Sequence, residues 1–117
     1  MKCIFWNIRG IGNLETQLHL IQLIDTHKPD FLFLSEPMVT FDSVPLWVWH
    51  KLHFNKHAVN NRNHKLPNIW CLWNSSSDPL IIFNSAQCMA FSCVIEGVTI
   101  YIAVIYASTF YIKRRTL

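Results

Sequence analysis

The sequence predicts an α/β fold built as one unit. A short apolar run, a helical repeat and a second apolar run follow one another between Lys2 and Pro37, which is a β–α–β start. From Asn68 onward the pattern changes to strands, with apolar runs rich in β-branched and aromatic residues. No linker, low-complexity segment or fixed repeat interrupts the 117 residues, a length that suits one domain.

The elements can be justified in order. Lys2–Asn7 is a strand, because Cys3, Ile4, Phe5 and Trp6 are continuously apolar. Arg9-Gly10-Ile11-Gly12 is a glycine-bearing turn, and Asn13 is a helix N-cap with Glu15 in the positive first turn. Leu14, Leu18, Ile21, Leu23 and Ile24 then recur at helical spacing. Lys28-Pro29 ends that helix, since the residue before proline is driven out of the α region. Phe31–Leu34 is a second apolar strand, closed by Ser35-Glu36-Pro37, and it is expected to pair in parallel with the first across the helix. Met38–Lys65 reads as irregular apart from a short helix over Pro45–Leu52. Strands follow at Asn68–Asn74, Leu80–Asn84, Cys88–Ile95 and Val98–Ala107, with Glu96-Gly97 as a tight hairpin turn. The last strand has the composition of a central one, and Tyr111–Leu117 begins a further element.

Composition narrows the class. Residues of the AVILMFWYC set make up 51% and charged residues only 15%, against a usual charged share of roughly 25%. That excludes a disordered chain and leaves more apolar surface than a small body easily hides. The formal net charge of +3 includes the terminal run Lys113-Arg114-Arg115 and suits phosphate binding as well as many other roles. Cys3, Cys71, Cys88 and Cys93 lie in apolar runs without a CxxC pair, so buried reduced thiols are expected. With no signal peptide and no stretch near the ~20 apolar residues of a membrane helix, the expected setting is intracellular and not membrane-bound.

Two polar residues stand where open α/β sheets bind ligands, at the carboxyl ends of the first two strands: Asn7 and Glu36. A carboxylate and an amide oxygen are hard donors suited to Mg2+, which usually takes only one or two protein carboxylates. On spacing alone, a turn-capping Asn7 and a solvated Glu36 are the plainer reading. Lys51, Lys56, Arg62 and Lys65, interleaved with asparagines and histidines, read first as a solvated basic loop and second as a phosphate-backbone contact. His50, His53 and His57 stand at i, i+3 and i+7, but His57 lies beyond the end of the short helix, so surface histidines outweigh a zinc site. Trp70 and Trp73 read as strand core, while Trp47 and Trp49 point to opposite sides.

Four segments together carry a resemblance. Met1–Gly10 (MKCIFWNIRG), Asp30–Pro37 (DFLFLSEP), Ile69–Asn74 (IWCLWN) and Val104–Thr109 (VIYAST) are similar, in order and at about the same spacing, to the endonuclease/exonuclease/phosphatase superfamily. The likeness is strongest to the N-terminal endonuclease domain of plant non-LTR retrotransposons. It implies the N-terminal half of a DNase I-like four-layer α/β sandwich, a truncated single domain over residues 1–117, whose parent is a Mg2+-dependent, nuclear phosphodiesterase that nicks DNA. By the same resemblance Asn7 lies beside metal and scissile phosphate, Glu36 is a Mg2+ ligand, and Tyr106 reaches the phosphate or its leaving oxygen. Arg9, Thr109, Arg114 and Arg115 fall where DNA contacts are expected.

Two departures from the family pattern stand out. The family draws its base from a GDFN-like motif and a later SDH-like pair, and neither is present. Asp78 and His64 both precede Tyr106 and cannot replace them. Relatives also tend to have Gly-Gly where this chain has Pro67-Asn68, which implies an altered loop. The resemblance therefore implies an inactive chain whose Mg2+ binding is weak or absent. The alternatives are a non-catalytic protein that self-associates, or binds a host protein, through an exposed sheet, and an unrelated α/β protein. In the truncated reading the apolar excess belongs to strands whose covering layer is missing, which implies an aggregation-prone chain.

Overall fold

The computed structural model describes residues 1–76 and 78–107. Its elements are β1 (Cys3–Asn7), α1 (Leu14–His27), β2 (Phe31–Ser35), a 3-10 turn (Phe41–Ser43), α2 (Leu46–Leu52), β3 (Lys56–Val59), β4 (Ile69–Trp73), β5 (Leu80–Asn84), β6 (Cys88–Ile95) and β7 (Val98–Ile105). The further element expected over Tyr111–Leu117 lies outside the described residues.

The start forms as its sequence dictates. The Asn13 side-chain oxygen accepts the Thr16 N–H at 2.8 Å and caps α1. At the other end Lys28 takes a left-handed conformation and donates its N–H to Ile24 O at 2.8 Å, immediately ahead of Pro29. β1 and β2 then pair in parallel from Cys3↔Phe31 to Asn7↔Ser35. β4 lies antiparallel beside β2, and β3 beside β4, so the first sheet has the order β1-β2-β4-β3.

The second sheet is the antiparallel meander β5-β6-β7. Its tight turn places both Glu96 and Gly97 at positive φ, 50° and 78°, the primed geometry that matches strand twist.

Layering follows from which strands are apolar on both faces. Every residue of β2 and β4 is buried. Leu32, Leu34, Trp70 and Leu72 pack against Leu20, Ile24, Val48 and Leu52 of the helices. On the opposite face Phe31, Phe33, Ile69, Cys71 and Trp73 pack against Met89, Phe91, Cys93 and Val104 of the second sheet. Phe91 anchors this contact, 6.1 Å from the Phe33 ring and edge-on to Trp73 at 5.9 Å. The described layers are therefore helix, sheet and sheet.

Among the described residues the outer face of the second sheet is bare: Val94, Tyr101 and Ile105 are 68%, 72% and 51% exposed. Part of the apolar excess of the composition is located here, and part at exposed positions such as Phe5, Leu14, Met38 and Leu46.

Three expectations are corrected. Part of the stretch read as irregular is strand β3; Lys56-His57-Ala58-Val59 has little strand signal of its own, and pairing with β4 supplies the order. β7 is not central but stands at the edge of the second sheet among the described residues, with β6 in the middle. Cys3 is exposed because β1 turns one face away from both cores, and Cys88 is half-buried on the outward-alternating face of β6; only Cys71 and Cys93 are buried, and all four are free thiols. No helix of the described residues is long and apolar enough to cross a membrane.

Truncating a residue at the helix–sheet interface should cost far more than altering the bare face. Leu32→Ala, at a fully buried site, is expected to lose about 2–5 kcal/mol. Val94→Thr should stay within about 0.5 kcal/mol. Urea unfolding followed by tryptophan fluorescence measures both, and equal losses would contradict the layering.

Candidate functional site

The parallel pairing of β1 and β2 continues past the strands themselves. Ile8 N–H donates to Ser35 O, Gly10 N–H to Glu36 O and Ile11 N–H to Pro37 O, at 3.0, 2.8 and 3.0 Å. The two carboxyl ends are thus zipped together, with Asn7 opposite Ser35 and one position from Glu36. Ile4 and Trp6 pack into the helix-side core, so alternation assigns Asn7 to the face turned toward the second sheet, where it is exposed.

The backbone at this edge is unusual. Arg9, Glu36 and Met38 have φ of 49°, 53° and 67°, and Gly10 has φ of 103°. Three non-glycine residues in the left-handed region within one edge mark a strained locus of the kind that clusters at functional sites.

The second sheet contributes Tyr106, which continues the inward-facing series Ile100, Ile102 and Val104. Its N–H donates to Gln87 O at 2.8 Å. Burial pushes the phenol above its ordinary value, and the charge and hydrogen bond of Glu36 push it further, while the Arg62 guanidinium acts in the opposite direction. Glu36 and Arg62 thus both lie within electrostatic range of Tyr106, and the three come from separate segments. Of the predicted site residues, Asn7, Glu36 and Tyr106 come to one edge. Arg9 is exposed on the turn beside it. Thr109, Arg114 and Arg115 lie outside the described residues.

The assembly is tied together by Asn60. Its side-chain oxygen accepts the N–H groups of Asn68 and Ile69, both at 2.9 Å. Its Nδ2 donates to Asn68 Oδ1 at 2.6 Å and to Ser85 O and Ala86 O at 3.2 Å. Asn68 in turn accepts the Glu36 N–H at 2.9 Å through its carbonyl. A continuous path thus runs from Glu36 through Asn68 and Asn60 to the β5–β6 turn that holds Tyr106. Sequence reasoning did not single out Asn60 or Asn68 and weighed Arg62 only as part of a basic loop. The available signals were the Asn60-Asn61-Arg62-Asn63 run and the Pro67-Asn68 departure, where a buried asparagine replaces the expected glycine.

The donor set bears on metal binding. Among the described residues no three His, Cys, Asp or Glu side chains converge. One carboxylate, Glu36, with the Asn7 amide close in register fits Mg2+, which keeps several waters and takes the rest of its shell from phosphate. The set does not fit zinc. His50 sits on α2, His53 is its left-handed C-cap, and His57 lies on β3 stacked on Phe41 at 3.8 Å. Trp49 covers the other partner position on Phe41 at 4.4 Å. Burial pushes the His57 imidazole below its ordinary value, as expected of a packed ring.

Two measurements check this geometry. Asn60→Ala leaves the buried N–H groups of Asn68 and Ile69 without an acceptor, at about 1–3 kcal/mol each; a loss under about 0.5 kcal/mol in urea would contradict the network. The raised Tyr106 value means the folded chain holds that proton more tightly than the unfolded chain does. Its contribution to stability is complete below the ordinary tyrosine range near ~10 and is lost as pH rises through the folded value. Ultraviolet difference titration of wild type against Tyr106→Phe isolates this phenol, and Glu36→Gln should lower its midpoint.

No protein-family model and no curated protein matches the sequence. Solved structures do match it. The human Nocturnin catalytic domain, solved with a bound sulfate anion, aligns with a TM-score of 0.65 at 16% identity, over 98% of this chain and 53% of that one. TDP2 of Caenorhabditis elegans aligns at 0.64 with 19% identity, over 97% and 49%. The Neisseria 3′ phosphatase NExo, bound to its product DNA hairpin, aligns at 0.53 with 18% identity, over 92% and 41%. The chain spans about half the length of these neighbours. All have the DNase I-like endonuclease/exonuclease/phosphatase fold, and this chain folds as a partial sandwich of that DNase I-like type.

Proposed function

We propose that the chain is the phosphodiester-recognising part of a retrotransposon-type endonuclease domain of plant LINE origin, by descent a Mg2+-dependent enzyme that nicks nuclear DNA. The observation that supports this most is the convergence of Glu36 and Tyr106 from different sheets, at the positions the family resemblance assigns to metal ligand and phosphate contact. Glu36, with Asn7, would hold Mg2+, which when bound supplies positive charge against a phosphate and its leaving oxygen. Tyr106 is protonated at neutral pH and donates toward Glu36. With the carboxylate committed to that ion, the Tyr106 phenol would be free to donate to a phosphate oxygen. Arg9, Thr109, Arg114 and Arg115 would extend the contact along the DNA backbone.

A base for the attacking water is missing from these 117 residues. Asp78 is exposed and paired with Lys56 at 3.3 Å, on the far side of β4 from Glu36 in register, and His64 is exposed on a loop. This chain by itself is therefore expected to bind and not to cut. Supercoiled plasmid incubated with the protein and Mg2+ should remain supercoiled; nicked circles that vanish in Glu36→Ala would overturn the inactive reading. Calorimetric titration with Mg2+ should show weak binding that Glu36→Ala removes.

The bare face at Val94, Tyr101 and Ile105 favours a second reading, a non-catalytic protein that self-associates through its second sheet. Size-exclusion chromatography with light scattering separates the two. A monomer that binds duplex DNA supports the first, whereas a defined oligomer without DNA affinity, dispersed by Ile105→Lys, supports the second.

A further inference from the structure

We infer that Arg62 is the anion-binding group of this site, taking a phosphate oxygen of a nucleic-acid strand; this rests on the phosphodiester-recognising role proposed above. The loop that carries it is built rather than loose. Asn60 and Asn68 close its base through the side-chain pair described above, and Asn61 N–H donates to Asn84 Oδ1 at 2.7 Å. Asn63 N–H donates to Asn61 Oδ1 at 2.9 Å, with Asn63 itself left-handed at φ 60°, and Lys65 N–H reaches Arg62 O at 3.2 Å. The guanidinium is held as well, since Nη1 donates to Leu66 O at 2.7 Å. A long side chain that is ordered before its ligand arrives avoids much of the entropy cost of binding.

Electrostatics point the same way. Among the described residues the ion pair is Lys56–Asp78, and no carboxylate lies within salt-bridge distance of Arg62. A guanidinium has five N–H donors, and one of them is used by Leu66. The chain has no acidic residue between Asp42 and Asp78, a stretch that carries Lys51, Lys56, Arg62 and Lys65. Arg62 thus sits half-buried and preorganised, with no salt-bridge partner among the described residues, two positions from the Asn60 side chain that reaches the same β5–β6 turn as the Tyr106 N–H. Glu36, whose N–H is held by Asn68, and Arg62, on the loop closed by the Asn60–Asn68 pair, bring one acidic and one basic group to the same tie, which matches a phosphate that carries its own cation and not a bare carboxylate or amine.

The test is fluorescence anisotropy of a labelled duplex oligonucleotide with the full chain and Mg2+ over a salt series. It is paired with phosphorus NMR titration of inorganic phosphate, and circular dichroism confirms that each variant is folded. Arg62→Gln should weaken DNA binding, reduce the log–log salt slope by about one phosphate contact, and abolish phosphate binding. Arg62→Lys should restore the slope but not the full affinity, because the planar fork is lost. An unchanged slope together with unchanged phosphate binding in Arg62→Gln would overturn the inference. If at the same time Glu36→Gln removes Mg2+-dependent DNA binding, the proposed function survives that failure. Wild-type protein that binds phosphate but no nucleic acid would overturn the assignment of the ligand to a nucleic-acid strand, and wild-type protein that binds neither would overturn both.

Discussion

One carboxamide determines how the two sheets meet at the candidate site. Asn60 is buried, and its oxygen receives two backbone N–H groups from Asn68 and Ile69, which fixes which way the amide points. The Nδ2 must then face Asn68 Oδ1 and the carbonyls of Ser85 and Ala86. The first three of these groups belong to the start of β4 and the last two to the turn between β5 and β6. Hydrophobic contact between Phe33, Phe91 and Trp73 holds the sheets together but is non-directional, so it tolerates sliding. The asparagine removes that freedom at the edge where Glu36 and Tyr106 approach, because any shift would leave buried donors unpaired.

Strain and burial cooperate around that tie. Glu36 occupies a left-handed conformation immediately after a fully buried strand, with its N–H and C=O both engaged, by Asn68 O and Gly10 N–H. Those two bonds leave the carboxylate as the part of the residue able to respond to a ligand. Tyr106 is held protonated by burial and by that same carboxylate. Glu36 and the Arg62 guanidinium thus act on that phenol with opposite sign.

The same sandwich explains the composition. β2 and β4 are covered on both faces and use the apolar residues fully, whereas the outer face of the second sheet presents Val94, Tyr101 and Ile105 to solvent. A chain with 15% charged residues has few polar side chains to place there. The apolar excess is thus shared between that face and exposed positions elsewhere, such as Phe5, Leu14, Met38 and Leu46.

Much of the local structure was legible in the residues. Asn13, the Leu14–Ile24 spacing, Lys28-Pro29 and Glu96-Gly97 act over one turn of chain, so propensity and capping decide them without help from the rest of the fold. The parallel pairing of β1 and β2 followed from two short apolar strands with a helix between them, and it delivered Asn7 and Glu36 to one edge. Tertiary structure alone decided the remainder. β3 is strand because β4 offers it a ladder, β7 is an edge among the described residues because its only ladder partner there is β6, and Cys3 is exposed because β1 is covered on one face only. Arg62, Asn60 and Asn68 join the site through hydrogen bonds between residues 8 to 26 positions apart in the chain and through charge acting across two sheets. The sequence by itself determined what short-range chemistry can specify, most of the elements and the placement of Asn7 and Glu36 at one sheet edge. Which side chains share a site is a matter of long-range packing, where a single buried amide outweighs any local preference.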